Sequence, residues 1–288
     1  MKNFHDATIS PEGAAKLDPL AATDRRRVLP PTPKGDETLD ALFGGKVKLF
    51  QSRRGYRFSV DALLLAHFVS LRARESVIDL GTGNGVIPLI LARLYNDAAI
   101  TGVEIQAAMA ERAARNVRLN RLESQIHIRL GDIREAGAIA PAASFDVAVC
   151  NPPYRRAASG RISANDEKRI ARHESRGALV DFLHAADFFL RPRGRIVVVY
   201  LAERAVDLFS AMRAVRLEPK RVRLVHSFID ADASLVLVEG TKGGRSGVKI
   251  LPPLIVYGED KNYSAEVAAM IAGDGANRAL RRKESNGS

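Results

Sequence analysis

The sequence holds one cysteine, Cys150, so no disulfide can form within the chain, and a reducing cytoplasm is the expected setting. It has no apolar run of about 18 residues, the length a membrane-crossing helix needs. Met1–Leu20 intersperses Asp6, Glu12 and Asp18 among polar residues and lacks the apolar core of a secretory leader. The histidines (His5, His67, His127, His173, His184 and His226) show no metal-ligand spacing, and with a single cysteine no metal site is expected. Acidic residues fall short of basic ones, 33 against 44, leaving a net charge of +11. Such an excess suits an anionic partner, nucleic acid or membrane surface, with a merely solvated basic surface as the alternative. Charge narrows the partner without naming the chemistry.

What is present is alternation. Short β-rich runs fall at Ser76–Leu80, Ile100–Glu104, Ile126–Leu130, Phe145–Cys150, Arg195–Tyr200, Val222–Phe228 and Ser234–Glu239. Helical spacing separates the first five, most clearly at Val86–Tyr95, Ala107–Asn120 and Val180–Leu190, and Ser59 is placed to cap a further helix ahead of the first strand. Strand–helix alternation predicts an α/β fold: a Rossmann-like, seven-stranded, mostly parallel sheet with helices on both faces. The last two strands are separated by only a few residues, which predicts a C-terminal antiparallel hairpin. Residues 1–38, with Arg25-Arg26-Arg27, Pro30, Pro31 and Pro33 and no apolar periodicity, read as a flexible tail. Residues 39–270 read as one folded domain, and 271–288 as a second, basic tail.

Asp79-Leu80-Gly81-Thr82-Gly83-Asn84-Gly85 ends the first of these strands and opens a helix near Val86. Alternate glycines allow a sharp turn and close backbone approach to a ligand. Glu104, with Ile105 beside it, ends the next strand about 20 residues on, where a carboxylate can accept from ribose hydroxyls. The dinucleotide fingerprint G-x-G-x-x-G is not met, because Val86 stands where its third glycine belongs. S-adenosylmethionine carries no pyrophosphate; its sulfonium, amino-acid end and ribose suit Asp79, Gly81, Gly83, Gly85 and Glu104. Gly131-Asp132 ends the third strand, and Asp132 reads either as an acceptor for the cofactor's adenine amine or as a strand-ending turn.

Asn151-Pro152-Pro153-Tyr154 follows the strand Phe145–Cys150 and is the most informative segment. The prolines cannot donate to a ladder and give a stiff exit from the strand. The Asn side chain and a proline carbonyl can then both accept from one planar NH2 group, while Tyr154 offers a face for stacking. Adenine N6, guanine N2 and glutamine Nδ are all compatible amine targets. Arg155, Arg156, Arg161, Lys168, Arg169, Arg172 and Arg176 crowd the next segment, opposed by Asp166, Glu167 and Glu174. They suit phosphates flanking an extruded nucleotide, or a solvated basic loop. A second basic run (Arg213, Arg216, Lys220, Arg221 and Arg223) reads as helix surface and strand entry, and Phe182, Phe188 and Phe189 as core.

Three stretches, Gln51–Ala66, Asp79–Ala92, and Asn151–Tyr154 with Ala171-Arg172-His173-Glu174, resemble the bacterial tRNA1(Val) adenine N6-methyltransferase family, over roughly residues 39–260. The resemblance implies methylation of the adenine next to the anticodon of a valine tRNA, with S-adenosylmethionine as cofactor and tRNA as partner. It further implies that Asn151 and Pro152 hold the amine, with Pro153 and Tyr154 completing the motif, and that Arg57, Phe58, Ser59 and Asp61 belong to a segment closing over the cofactor. Release-factor glutamine N5-methyltransferases share the tetrapeptide, but no helical substrate domain is legible ahead of the glycine loop. Ribosomal-RNA guanine N2-methyltransferases are a further alternative. A non-catalytic RNA-binding protein on this scaffold is disfavoured by the intact tetrapeptide together with Asp79, Glu104 and Asp132.

Overall fold

The structure is a computed structural model and describes residues 31–53, 60–153 and 179–273. After an antiparallel hairpin, β1 (Glu37–Leu42) and β2 (Val47–Ser52), the chain runs α1 (Val60–Phe68), β3 (Ser76–Leu80), α2 (Val86–Leu94), β4 (Ala99–Glu104), α3 (Ala107–Leu119) and β5 (Ile126–Leu130). A short α4 (Ala136–Ile139) leads into β6 (Phe145–Cys150), and α5 (179–189) into β7 (Leu190–Leu201). The chain closes with α6 (Ala205–Ala214), β8 (Leu217–His226), β9 (Ala233–Lys242), β10 (Lys249–Ile250), β11 (Leu254–Ile255) and α7 (Ala265–Ala272).

The main sheet has the order β10-β8-β9-β7-β6-β3-β4-β5, with β11 also pairing β8. β5, β4, β3, β6 and β7 are mutually parallel, and β9 runs antiparallel between β7 and β8. All seven strands expected from the sequence are present, and so is the terminal antiparallel hairpin. The sheet nevertheless has nine strands: β10 and β11, two residues each, pair in parallel with β8 on the side away from β9. Two residues cannot show a period, so no sequence pattern announces them.

Strand pleating divides the interior. In β6, Val147 and Val149 join the core beneath α1 and α2, whereas Ala148 and Cys150 join the core beneath α5 and α6. Both faces of the sheet are therefore apolar, which is why the strands read as continuous hydrophobic runs. Phe189 lies in the second core as expected and Phe188 packs against it. Among the described residues no helix is long and apolar enough to cross a membrane.

The β1–β2 hairpin is a departure from the sequence reading, and its first residues, Glu37 and Thr38, fall within the segment 1–38. At the other end, Ile271 and Ala272 complete α7. α3 holds the hairpin by two asparagines one turn apart. The Asn116 amide accepts from the backbone N–H of Phe50 (2.6 Å) and donates to its carbonyl (3.2 Å), and Asn120 engages both backbone groups of Lys48. Glu37, buried, pairs with Arg112 and Arg115 of the same helix. Burial opposes its ionisation, but the hydrogen bonds from Arg115 and Arg112 prevail and hold its carboxyl down to about 2.

Candidate functional site

Strand order reverses at β3, whose neighbours β4 and β6 are reached in opposite directions, and a crevice forms outside the carboxyl ends of the strands at such a switch. A cleft of about 950 Å³ lies there. The β3–α2 loop contributes Gly81, Thr82, Gly83 and Asn84, and the ends of β4 and β5 contribute Glu104, Ile105 and Asp132. Asn151, Pro152 and Pro153 enter from the end of β6, and Asp61 from the first turn of α1. One cleft thus gathers residues as far apart in the sequence as Val60 and Tyr257.

Gly81, Gly83 and Gly85 all have positive φ (71°, 59° and 82°), which an L side chain rarely tolerates. A Cβ on Gly81 would also stand 3.0 Å from the Phe182 ring. That ring, half-buried and lining the cleft, packs over the loop, so Phe182 is wall as well as core. Gly85 does not line the cleft. It caps α2, and the Ala113 Cβ on α3 lies 3.2 Å from where its own Cβ would be, which makes it a close-packing glycine. The loop is held at several points. Thr82 N–H donates to the Val103 carbonyl (2.8 Å), and Gly83 N–H to the Glu104 carboxylate (2.9 Å), whose other oxygen accepts from Gln106 N–H (2.9 Å). Asn116, already clasping β2, donates to the Asn84 carbonyl (2.9 Å), and the Asn84 amide donates to Gln51 (3.3 Å).

Asp79, fully buried, does not reach the cleft wall. Neither of its carboxylate oxygens has a hydrogen-bond partner among the described residues. Burial pushes it up to about 7; the Thr82 hydroxyl, too poorly placed for a formed bond, opposes this, and the Glu104 carboxylate adds to it. A buried, unsatisfied carboxylate behind a glycine loop leaves negative potential there for a cation to neutralise.

Asp132 accepts from the backbone N–H of Arg134 (2.9 Å) and pairs with its guanidinium, which holds the carboxyl below the usual range. Asp132 thus caps a turn of 3-10 helix, the strand-ending turn read from the sequence, and it also lines the cleft. Ile105 presents an apolar side chain, 56% exposed, at the same end. At the opposite side, Pro152 is buried while Asn151 is half-buried.

Tyr154, Arg155, Arg156, Arg161, Arg169 and Arg172 lie outside the described residues, as do Arg57, Phe58 and Ser59. In the second basic run, Arg213 ends α6 in an ion pair with Glu218, while Lys220, Arg221 and Arg223 lie in β8. Sequence reasoning missed Thr82, Asn84, Asn116, Gln106, Phe182 and Tyr257. For Asn116 a signal was available: a polar residue on the otherwise apolar stripe of α3.

The methyltransferase small domain family model matches residues 59–217, α1 to the start of β8. A tRNA1(Val) (adenine(37)-N6)-methyltransferase from Porphyromonas gingivalis strain W83 is 30% identical over 189 residues, covering 64% of this chain and 73% of the relative. The enzyme of the same name from Shewanella halifaxensis is 28% identical over 232 residues, 77% of this chain and 86% of the relative. Among solved structures, Atu636 of Agrobacterium tumefaciens, described as a predicted O-methyltransferase, superposes with a TM-score of 0.61 at 22% identity, covering 74% of this chain and 96% of that one. That likeness bears on the fold.

Proposed function

Since the chain belongs to the methyltransferase small domain family and, within it, to the tRNA1(Val) adenine N6-methyltransferases, we propose that it methylates the N6 amine of the adenine beside the anticodon of a valine tRNA, in the cytoplasm, with S-adenosylmethionine as methyl donor. The observation that carries this reading is the opening of Asn151-Pro152-Pro153 into the same cleft as the glycine loop and Glu104.

The residues fit the cofactor. Gly81 and Gly83 line the cleft with positive-φ backbone that carries no side chain, and the unsatisfied Asp79 carboxylate favours a cationic amino-acid end and sulfonium. Glu104 is the ribose acceptor, with Ile105 flanking the adenine and Asp132 accepting from its amine. Asp61 and Phe182 border the same volume. Gly85 serves the site indirectly, by letting α2 and α3 approach. The cofactor supplies an electrophilic methyl group whose leaving atom is a neutral thioether.

On the acceptor side, an aromatic amine is a weak nucleophile because its lone pair is delocalised into the ring. The Asn151 side-chain oxygen and the Pro152 carbonyl accept its two N–H groups and turn the lone pair out of conjugation, toward the methyl carbon. The chain's own part is to hold the amine: Asn151 and Pro152 would keep N6 aimed at the methyl group that the bound cofactor would supply, with one N6 proton given up to solvent. Positioning and preorganised acceptors supply the rate enhancement. Tyr154 and the arginines that follow it are assigned to base stacking and phosphate contact on the sequence alone.

Asn151→Ala removes one acceptor and leaves the glycine loop intact. Single-turnover methylation of unmodified tRNA should fall on the order of 10²-fold or more, with cofactor binding unchanged. Mass spectrometry should find N6-methyladenosine as the wild-type product. N2-methylguanosine, or methylation of a protein glutamine instead, would overturn the adenine assignment, and near-normal transfer by the variant would overturn the role of Asn151.

A further inference from the structure

The cleft extends well past the tetrapeptide. Across the sheet, the glycine loop, Glu104 and Asp132 occupy the ends of β3, β4 and β5, and Asn151 the end of β6. On the other side of Asn151 the cleft continues over β7, β9 and β8, where Leu201, Ser234, Val225 and Ser227 line it. If the cofactor fills the first half, the chain bearing the target amine must lie over the second.

Tyr257 also lines the cleft, and Tyr263, beside it, lies outside the lining. The segment after β11 folds into a small hairpin in which Tyr257 and Tyr263 face each other across an antiparallel bridge. Gly258 N–H donates to the Asn262 carbonyl (2.9 Å), and Tyr257 N–H anchors the hairpin to the Ser227 carbonyl (2.9 Å). The two tyrosine rings are stacked, 5.3 Å between centroids at 20°, and the half-buried Phe228 ring lies 5.6 Å behind Tyr257 at 35°. A cross-strand aromatic pair can serve packing alone. This one does not end in a core: Tyr263 is 45% exposed. Among the described residues lining the cleft, Phe182 and Tyr257 are the aromatic ones, and Phe182 belongs to the glycine-loop side.

We propose that the Phe228–Tyr257–Tyr263 ladder is a stacking platform for an unpaired nucleobase of the RNA next to the target adenine; this rests on the function proposed above. Every base has a π-face, so a tyrosine ladder accepts one without needing its identity. Glu259, Asp260 and Lys261 form the turn of the hairpin. Asp260 is taken up by the turn, accepting from Asn262 N–H (3.0 Å) and its side-chain amide (2.8 Å). Holding the neighbouring base apart from the target also helps to keep an extruded adenine from restacking.

The test compares the full-length wild type with Tyr263→Leu, which keeps an apolar side chain without the ring, and Tyr263→Phe, which keeps the ring without the hydroxyl. Unmodified tRNA transcripts carry 2-aminopurine immediately 5′ or 3′ of the target. Wild type and Tyr263→Phe should quench one of these probes on binding. Tyr263→Leu should not, and its RNA affinity should fall roughly ten-fold, the effect expected of a lost base–ring stack, with cofactor affinity and melting temperature unchanged. Undiminished quenching and RNA affinity in Tyr263→Leu would overturn the platform, as would an equal loss in Tyr263→Phe. A wild type that binds but does not methylate this tRNA would instead overturn the proposed function, and the platform with it.

Discussion

Removing the Glu104 side chain tests whether one carboxylate both shapes the glycine loop and holds the cofactor. Its two oxygens accept from Gly83 and Gln106 N–H groups, each at 2.9 Å, and the residue is 6% exposed. Hydrogen bonds to a charged acceptor contribute roughly 1.5–3 kcal/mol apiece when protected. Water reaches this cleft and can replace part of both bonds in Glu104→Ala, so the loss falls below the low-end sum of about 3 kcal/mol and a destabilisation of about 2 kcal/mol is expected. For a chain of this length that corresponds to a fall in melting temperature of roughly 4–8 °C. Loss of the ribose contacts should weaken cofactor binding by about 2 kcal/mol as well, roughly 30-fold in Kd. Glu104→Gln keeps the side-chain volume and one carbonyl acceptor, but its NH2 must face one of the two backbone N–H donors. It should therefore fall between wild type and Glu104→Ala in both measurements. Calorimetric titration with S-adenosylmethionine and thermal unfolding of the same preparations give the two numbers. Unchanged cofactor affinity in Glu104→Ala would refute the ribose assignment. An unchanged melting temperature would refute the bracing of the loop.

Two further outcomes follow from buried polar groups. Asp79 is raised from 3.8 to about 7, first by burial, with the Thr82 hydroxyl opposing and Glu104 reinforcing. The folded chain therefore holds this proton more tightly than the unfolded one: the contribution to stability is full below about pH 4 and is lost as pH rises through about 7. In the cofactor-free protein, urea midpoints should decline between pH 5 and 8 more steeply for wild type than for Asp79→Asn; parallel profiles would contradict the raised value. Asn116→Ala leaves the Phe50 N–H and the Asn84 carbonyl without their partner. It should cost about 3 kcal/mol by denaturant unfolding and weaken cofactor binding through the loop. Asn120→Ala, at a more exposed contact with Lys48, should cost under about 1 kcal/mol. Equal losses would show that the link to the glycine loop carries nothing.

Much of the sheet was legible in the sequence because both of its faces are covered. Each of the seven long strands had to be a short apolar run, and β3, β5 and β6 begin and end where those runs do. β7 and β8 start five residues ahead of theirs: Leu190 pairs Phe145 ahead of a register shift, and Leu217, Glu218 and Pro219 pair with β9, but the arginines, glutamate and prolines of these stretches break the apolar pattern. The β1–β2 hairpin escaped for a different reason. Its sequence is mixed, and it is held by side chains of α3, Asn116 and Arg115, 66 and 78 residues away.

The candidate site divides along the same line. Gly81, Gly83, Glu104, Asp132 and Asn151 could be named from the sequence because each sits at a strand end, and strand ends are local features. That Gly85 packs against Ala113 instead of facing the cleft, that Asp79 is buried without a partner, and that Phe182 covers Gly81 were decided by tertiary contacts alone. So was the approach of the Tyr257–Tyr263 hairpin to the cleft, since it depends on β11 pairing with β8 at the far side of the sheet. Local sequence determines where a strand stops and which backbone a turn requires. Which side chains then share one volume depends on strand order, because neighbours in the sheet need not be neighbours in the chain.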